Sequence, residues 1–301
     1  MSALTYATAQ LLRVLPRAQV SRAAGRLADH SWSPRLGRAV VALYSRVYDV
    51  ELAECDETSW QSFDSFFTRG LRHGVRPIDP DPAALVSPAD GRIDSMGAID
   101  DTSTFRVKGQ RYSVEELVGD SADAKRYAGG QGAVIYLSPR DYHRVHTPVA
   151  GYIRKIKSMP GDYYPVNAIG MRHVKNLFVK NRRVAISIDT PDTTGFGRVT
   201  VVMVAAIVVG RVTAKGIRAR DVPIGDHFFD PPLPVERGEE IGVFHLGSTA
   251  VLLLEPRAVG RWVARDGMVR FGERIAQAPA QAATPEGPVH SAFSAPPRGA
   301  G

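Results

Sequence analysis

The chain has 301 residues, of which 44% are hydrophobic and 23% are charged, a balance typical of a globular protein and not of a disordered or fibrous one. Its single cysteine, Cys55, excludes an intrachain disulfide framework and a cysteine-cluster metal site. The net charge of +7 is concentrated at the N-terminus, because residues 1–50 contain seven arginines and two aspartates, a balance of +5.

The first 70 residues are predicted to form helices. Ser33 and Pro34 are a helix-start signal, since a capping hydroxyl precedes proline at the first helical position. Pro16 is expected to interrupt an earlier helix. Apolar residues recur at helical spacing in four stretches: Leu4, Leu11, Leu12 and Leu15; Val20, Ala24 and Leu27; Leu36, Val40, Leu43 and Val47; and Phe63, Phe66 and Phe67. Gly70 is expected to end the helical region.

From about residue 76, short apolar runs alternate with Gly, Pro and Asp turns. This pattern predicts a mostly antiparallel β domain, built as a sandwich or a partly closed barrel, so the expected fold class is α+β. The longest apolar run, Val199–Gly210, is shorter than the roughly 20 residues of a spanning helix, and its β-branched residues favour a buried strand. Residues 276–301 are rich in Ala, Pro and Gly and are predicted to be a disordered tail.

Three segments of the β region place reactive side chains beside glycine or proline. Ser87–Gly91 ends in Asp-Gly, which is usually a turn former. Tyr142–Pro148 contains His143 and His146, which lack a third ligand at zinc spacing and are as consistent with structural histidines as with functional ones. Phe244–Thr249 contains Gly-Ser-Thr, normally a bulge or a turn. Each signal is weak alone.

Together, the three segments supply the side chains of an acid–base relay. Asp90 could orient His146, and His146 could take the hydroxyl proton of Ser248. The target of that hydroxyl is left open by the residues alone. A serine hydrolase would attack an external ester or amide. Alternatively, Ser248 could attack the carbonyl of Gly247, because glycine has no side chain to obstruct a strained turn and the attack is intramolecular.

The same segments resemble the motifs of the phosphatidylserine decarboxylase family. The resemblance rests on several motifs that occur in the family order between about residues 60 and 275: FFTRGLRHGVRPID at 66–79, SPADGRI at 87–93, YHRVHTPVAG at 142–151, NLFVKNRRV at 176–184 and LGST at 246–249. One departure is Ala205-Ala206, where the family pattern has Gly-Ala.

The resemblance implies that Asp90, His146 and Ser248 drive self-cleavage between Gly247 and Ser248. The products would be a β chain of residues 1–247 and an α chain of residues 248–301, which stay associated. Ser248 would become a pyruvoyl group, the expected cofactor, which forms an imine with the substrate amine and acts as an electron sink. No metal is expected. His143 is the histidine left over after this relay, and we hypothesise that it contacts the substrate phosphate or carboxylate, or helps to protonate the carbanion.

The implied substrate is phosphatidylserine, converted to phosphatidylethanolamine and CO2 at an anionic membrane surface. Residues 1–70 are then interpreted as a helical membrane-associating region, residues 71–275 as the decarboxylase domain and residues 276–301 as the tail. The seven N-terminal arginines suit peripheral attachment to the cytoplasmic side of the cell membrane, although a helical cap packed on the β domain is an alternative.

The N-terminus has no signal-peptide pattern. A homodimer is compatible with the sequence. Binding to nucleic acid is not expected, because no aromatic residues are interleaved with the arginines.

Overall fold

The computed structural model describes residues 16–207 and 211–279. Within these ranges the chain forms seven α-helices: α1 (Arg17–Asp29), α2 (Pro34–Tyr48), α3 (Phe63–Phe67), α4 (Val114–Val118), α5 (Ser121–Arg126), α6 (Ala168–His173) and α7 (Leu177–Lys180), with short 3-10 helices at Leu52–Glu54 and Asp192–Thr194. None of the helices in these ranges has the length and apolar character needed to cross a membrane.

Sixteen strands make up the rest of the regular structure in the described ranges. They are β1 (Ala84–Val86), β2 (Gly91–Ala98), β3 (Thr104–Val107), β4 (Gln110–Ser113), β5 (Gln131–Leu137), β6 (Arg144–His146), β7 (Gly151–Met159), β8 (Arg183–Asp189), β9 (Arg198–Ala205), β10 (Arg211–Ala214), β11 (Gly225–Val235), β12 (Glu240–His245), β13 (Ser248–Leu254), β14 (Arg261–Trp262), β15 (Gly267–Val269) and β16 (Arg274–Gln277).

The strands form one large sheet and three small ones. The large sheet has eight strands in the order β11-β7-β8-β9-β13-β5-β2-β15, and the smaller ones have the orders β10-β12-β6, β1-β16-β14 and β3-β4. The named strands pair antiparallel. The predicted α+β class with mostly antiparallel strands is therefore confirmed. The large sheet is open and not a closed barrel, since β11 and β15 are its two edges.

Strand β13 lies at the centre of the large sheet. Its seven residues are all buried, and it pairs with β5 on one side and β9 on the other. Because side chains alternate along a strand, Ala250 and Leu252 enter one apolar cluster while Val251 and Leu253 enter the other. The sheet thus has a core on both faces, and the residue that begins β13, Ser248, is anchored by two neighbouring strands.

Strand β9 confirms the buried strand predicted for the longest apolar run. It covers Arg198–Ala205, and residues 208–210 at the end of that run lie outside the described residues. The helix predicted around Leu4–Leu15 also lies outside them, as does the predicted tail beyond residue 279. Ala276 and Gln277 correct the start of that tail, because they belong to β16, which pairs with β1.

Helix α2 begins as the sequence predicts but presents an unexpected face to solvent. The Ser33 hydroxyl accepts the N–H of Leu36 at 3.4 Å, and Pro34 occupies the first turn. The apolar stripe, however, is largely exposed, at 54% for Leu36, 66% for Leu43 and 64% for Val47. The buried residues of α2 are instead Gly37 and Val41, on a neighbouring side of the helix.

Helix α1 is held to the β region by ion pairs. Arg17 contacts Asp162 at 2.5 Å, and Asp29 contacts Arg211 at 2.6 Å. Leu27, part of the predicted apolar face, is 76% exposed. Helix α1 therefore attaches mainly through polar and small residues. Helix α2 instead packs Val41 and Tyr44 into an aromatic cluster with α3, and both helices expose large aliphatic side chains.

Candidate active site

The three sequence segments converge around β6. The backbone N–H of His146 donates to the carbonyl of Pro88 at 2.7 Å, which joins β6 to the segment before Asp90. The N–H of Phe244 donates to the carbonyl of His143 at 3.0 Å, which joins β6 to the strand before Gly247. The fold therefore brings together segments that are far apart in the sequence.

The chain passes from one sheet to another immediately before Ser248. Strand β12 belongs to the three-stranded sheet and β13 to the eight-stranded sheet. Only Leu246 and Gly247 connect them, and both have positive φ, 85° and 27°. Glycine accepts this conformation readily, whereas for leucine it is strained. Burial of the Leu246 side chain in the apolar core holds the strained residue in place.

Ser248 opens β13 with its hydroxyl enclosed. The residue is 1% exposed, and its Oγ has no hydrogen-bond partner among the described residues. Its backbone pairs with Leu137 in β5 and with Ala205 in β9. Ala205 begins the Ala-Ala pair at which the sequence departs from the family pattern, so that departure lies directly beside the serine. A buried hydroxyl without a partner is costly, and its presence here is consistent with a chemical role.

Asp90 is fixed by a network of cations and backbone. Its carboxylate accepts bonds from Nη2 of Arg76 at 2.7 Å and from the N–H of Phe271 at 2.8 Å. Arg76 also binds Glu54 at 2.7 Å. Gly91 follows Asp90, and a Cβ atom there would lie 2.5 Å from the carbonyl oxygen of Tyr136. Only glycine allows this close approach, which explains the Asp-Gly pair.

His146 is buried as a neutral imidazole. Its Nδ1 lies 2.8 Å from the carbonyl oxygen of Gly238 and must donate, because a carbonyl can only accept. Its Nε2 is then free to accept the hydroxyl of Tyr142, at 3.3 Å. Burial lowers the pKa of His146 to about 4. A neutral imidazole with an unprotonated Nε2 is the form that a general base requires.

The described residues do not show the relay hydrogen bonds expected between Asp90, His146 and Ser248. Asp90 binds Arg76 and the N–H of Phe271, His146 uses Gly238 and Tyr142, and Ser248 Oγ has no partner. The segments are brought together, but a relay would need His146 to exchange a partner. Their role as a relay stays a prediction.

His143 lies at a second buried position beside the same strands. It is 0% exposed, its Nδ1 donates to the carbonyl of Asp141 at 2.8 Å, and its ring packs against Phe67 with centroids 4.1 Å apart. Its Nε2 has no partner among the described residues. Burial and then the charge of Arg69 lower the pKa of His143 to about 3. His143 is thus a neutral histidine with an unused ring nitrogen.

His245, the last residue of β12, takes part in an ion-pair cluster. Its Nδ1 lies 2.8 Å from the carboxylate of Asp64. Asp64 also binds Arg211 at 2.6 Å, and Arg211 binds Asp29 at the end of α1. This cluster ties α1 and α3 to the strand that leads into the Leu246–Gly247 turn.

Three residues of the site were not singled out from the sequence: Arg76, Tyr142 and Phe271. Arg76 and Tyr142 lie inside the quoted motifs, but nothing in their spacing indicates their partners. Phe271 is more than 120 residues from His146 in sequence, and its contacts arise only from the fold. No group of three or more His, Cys, Asp or Glu side chains in residues 16–207 and 211–279 is placed to hold a metal ion.

Comparison with known proteins identifies the same family that the sequence motifs resemble. Residues 63–277 match the family model described as phosphatidylserine decarboxylase. The chain is 38% identical to the phosphatidylserine decarboxylase proenzyme of Azotobacter vinelandii, over 89% of this chain and 96% of that protein. It is 41% identical to that of Marinobacter nauticus, over 83% and 88%, and 36% identical to that of Myxococcus xanthus, over 88% and 96%.

Proposed function

The chain belongs to the phosphatidylserine decarboxylase family, and on that premise we propose that it converts phosphatidylserine into phosphatidylethanolamine and CO2 with a pyruvoyl group made from its own Ser248. The observation that carries the proposal is the position of Ser248. Its buried, unpartnered hydroxyl follows a strained Leu246–Gly247 turn at the head of a central strand. The printed names of the relatives as proenzymes support a precursor that is processed.

Self-cleavage begins when Ser248 Oγ attacks the carbonyl carbon of Gly247. His146 takes the hydroxyl proton at Nε2 and returns it to the departing amide nitrogen, so the peptide becomes an ester. Loss of the Cα proton and of the Cβ–O bond then releases Gly247 as a carboxylate and leaves dehydroalanine. Water converts dehydroalanine into the pyruvoyl group and ammonia. Release of the backbone strain at Leu246 favours the first step.

The site fits a pyruvoyl group, because Ser248 is enclosed between β5 and β9 and its hydroxyl is not used by another group among the described residues. The group supplies a ketone that condenses with the substrate amine and withdraws electrons as CO2 leaves. His143 accepts a proton at Nε2 from the substrate ammonium. It passes this proton on to the carbon that loses CO2 and does not store it, because a pKa of about 3 keeps the resting ring neutral. Phe67 excludes water from one face of the His143 ring.

Helices α1 and α2 provide the attachment to the membrane in this proposal. Leu27, Leu36, Leu43 and Val47 are more than half exposed, and five arginines of the two helices are exposed as well: Arg22, Arg26, Arg35, Arg38 and Arg46. Arg17 contributes no surface charge because it pairs with Asp162. Exposed aliphatic groups flanked by arginines suit an anionic bilayer surface on the cytoplasmic side. The inner side of α2 reaches the loop before His143, where Tyr44 donates to the carbonyl of Pro139 at 3.1 Å.

The two chains of the cleaved protein are expected to remain together. A cut after Gly247 leaves β13 on the α chain, and β13 pairs along its whole length with β5 and β9 of the β chain. No covalent link is needed for the association, because each of the seven residues of β13 has a partner in both neighbouring strands.

Intact-mass spectrometry of the purified protein tests the proposal. The expected result is two chains divided between residues 247 and 248, with decarboxylase activity on phosphatidylserine that hydroxylamine or borohydride abolishes. Ser248→Ala should give one uncut, inactive chain, while Thr249→Ala, which removes the adjacent buried hydroxyl on the other face of the sheet, should still be cut. A single uncut wild-type chain labelled by a fluorophosphonate would instead support the serine hydrolase and contradict the proposal.

His143 has a separate test within the same experiment. His143→Asn should be cleaved at Ser248 but should lose decarboxylation by about a hundredfold or more, because it removes proton transfer and not maturation. His146→Asn should remain uncut. Normal turnover by His143→Asn would show that its imidazole has no part in the reaction.

A further inference from the structure

Gly247, the residue before the proposed cut, is not itself clamped by packing. A Cβ atom at this position would meet no atom within 4 Å among the described residues beyond its chain neighbours, and Gly247 belongs to neither β12 nor β13. Its conformation is therefore set by the residues on either side. Ser248 is fixed on one side by its pairing with β5 and β9. On the other side, Leu246 and the end of β12 must provide the anchor.

Strand β12 is paired on one side only where it leads into this turn. Its ladder with β6 ends at Val243, whereas its ladder with β10 continues to His245, which lies opposite Arg211. In the described ranges, the last residue of β12 therefore has a single strand partner. A contact made by the His245 side chain has more influence on the backbone there than it would have in the middle of a sheet.

Asp64 provides that side-chain contact. The Nδ1 atom of His245 lies 2.8 Å and 3.0 Å from the two carboxylate oxygens of Asp64, and it must donate, because a carboxylate can only accept. The side chains of His245 and Asp64 are 15% and 14% exposed, so water competes little for this hydrogen bond. Arg211, at 2.6 Å from the same carboxylate, keeps Asp64 oriented.

Helix α3, which carries Asp64 in its first turn, is itself fixed to the candidate active site. The carbonyl of Thr68, at the C-terminal end of α3, accepts a hydrogen bond from Nε of Arg144 at 2.9 Å. Arg144 begins β6, and His146 ends it. The Asp64–His245 contact therefore ties the end of β12 to the strand that holds the proposed general base.

We propose that Asp64 is a positioning residue for self-cleavage, an assignment that rests on the proposed processing at Ser248. Through its hydrogen bond to His245, Asp64 fixes the end of β12 and keeps the carbonyl carbon of Gly247 in the orientation that the Ser248 hydroxyl attacks. Asp64 does not touch the reacting atoms. Because the attack is intramolecular, small losses of orientation lower its rate steeply. The contact is needed before the cut, since His245 and Ser248 belong to different chains afterwards.

The rate of self-cleavage of the full chain tests this assignment. A pulse of cell-free synthesis is chased, and conversion of the precursor is followed on denaturing gels. Asp64→Ala and His245→Ala should each slow cleavage about tenfold or more. The double variant should be no more than about threefold slower than either single variant, because both changes remove the same contact. Wild-type rates in the single variants, or losses that multiply in the double variant, would overturn the proposal.

Conservative variants distinguish positioning from general support of the fold. Asp64→Asn keeps an oxygen that accepts from His245, and His245→Asn places an amide nitrogen where Nδ1 was. Each should be cleaved within about threefold of the wild-type rate. Asp29→Ala is the matched control, because it removes the other carboxylate that binds Arg211 and leaves the Asp64–His245 contact in place. If the asparagine variants or Asp29→Ala were as slow as Asp64→Ala, the hydrogen bond would not be the cause and the proposal would be wrong.

Turnover by the cleaved protein separates this role from one in decarboxylation. Per mole of α chain, Asp64→Ala should keep kcat and KM for phosphatidylserine within about twofold of wild type. A kcat lowered as much as the cleavage rate would show a defect of the whole site and overturn the proposal. Circular dichroism checks the fold of each variant in its Ser248→Ala form. If Asp64→Ala does not fold, the comparison of His245→Ala with His245→Asn decides the question. Failure of the wild-type chain to be cut would instead refute the underlying function.

Discussion

The ring of Phe271 lies flat against the imidazole of His146, with centroids 3.8 Å apart and planes inclined by 4°. The backbone N–H of the same phenylalanine donates to Asp90 at 2.8 Å. Phe271 therefore contacts two of the three residues assigned to self-cleavage, one through its main chain and one through its side chain. It holds His146 neutral by keeping water from one face of the ring, and it holds Asp90 in place at the start of β2.

Replacing Phe271 should slow maturation without removing any reacting group. In Phe271→Ala the imidazole of His146 loses its stacked support and gains water, so its orientation toward Ser248 becomes less defined. We expect the rate of self-cleavage to fall about tenfold or more, since small losses of orientation are costly in intramolecular reactions. A time course of precursor conversion on denaturing gels measures this rate. Phe228→Ala, at a 72% exposed position, is the control, and equal rates for both variants would contradict the role of the stack.

Stability should rise with pH between about 5 and 6.5. His143 and His146 have pKa values lowered to about 3 and about 4 by burial, whereas an unfolded histidine titrates near 6.5. Below pH 6.5 the unfolded chain therefore binds protons that the folded chain does not, and acid favours unfolding. Each fully effective histidine adds a slope of about 1.4 kcal/mol per pH unit. Most carboxylates titrate at lower pH, so they contribute little in this window.

Urea unfolding of the uncleaved Ser248→Ala precursor at several pH values measures that slope. Adding His146→Asn should reduce the slope, because the substitution removes one of the two titrating groups. Adding His30→Asn, at an exposed position, should leave the slope unchanged. A free energy of unfolding that is flat between pH 5 and 6.5 would show that the two histidines are not buried as neutral groups.

Arg211 and Arg220 both bind Asp29 but should differ in their contribution to stability. The Arg211 side chain is 12% exposed and also binds Asp64, whereas that of Arg220 is 69% exposed. Arg211→Met should lower the free energy of unfolding by about 3 kcal/mol, because it removes the largely buried cation that Asp29 and Asp64 share. Arg220→Met should cost less than about 1 kcal/mol. Chemical denaturation of the Ser248→Ala precursor compares them, and equal losses would show that Arg211 does not anchor α1.

The exposed leucines of α2 should determine attachment to membranes. Leu36→Ser with Leu43→Ser removes two aliphatic groups from the outer face, and the fraction bound to phosphatidylglycerol vesicles should fall about tenfold, given the free energy of burying such side chains. This lipid is anionic but is not the substrate, so co-sedimentation reports attachment alone. Tyr152→Ser with Val263→Ser, two exposed positions outside the helices, is the matched control. Unchanged sedimentation of the leucine variant would favour the helical cap.

Local signals in the sequence predicted several elements correctly. The Ser33–Pro34 signal predicted the start of α2, and the β-branched run predicted β9 over Val199–Ala205. The fold also brings the three motif segments together, since it joins Pro88 to His146 and His143 to Phe244, and their role as a catalytic site stays a prediction. Each of these inferences needed only neighbouring residues or a family pattern.

The parts that sequence did not predict depend on contacts between distant residues. The spacing of Leu36, Leu43 and Val47 predicted an apolar stripe, but spacing cannot show whether a stripe faces a core or solvent. The partners of Asp90 were also not predictable, because Arg76 is 14 residues away and Phe271 is 181 residues away in the chain. His143 and His146 look alike in sequence, and only their buried surroundings assign them different hydrogen bonds.

If the chain is cut as proposed, the central position of β13 makes that maturation a one-way process. A cut before Ser248 separates β13–β16 from the strands that they pair with, namely β5, β9, β2 and β1. Folding must therefore precede the cut, while all strands still belong to one molecule. If the mature protein later unfolds, its two pieces diffuse apart and can meet again only in a bimolecular step. Its lifetime in use is then set by the rate of unfolding and not by an equilibrium.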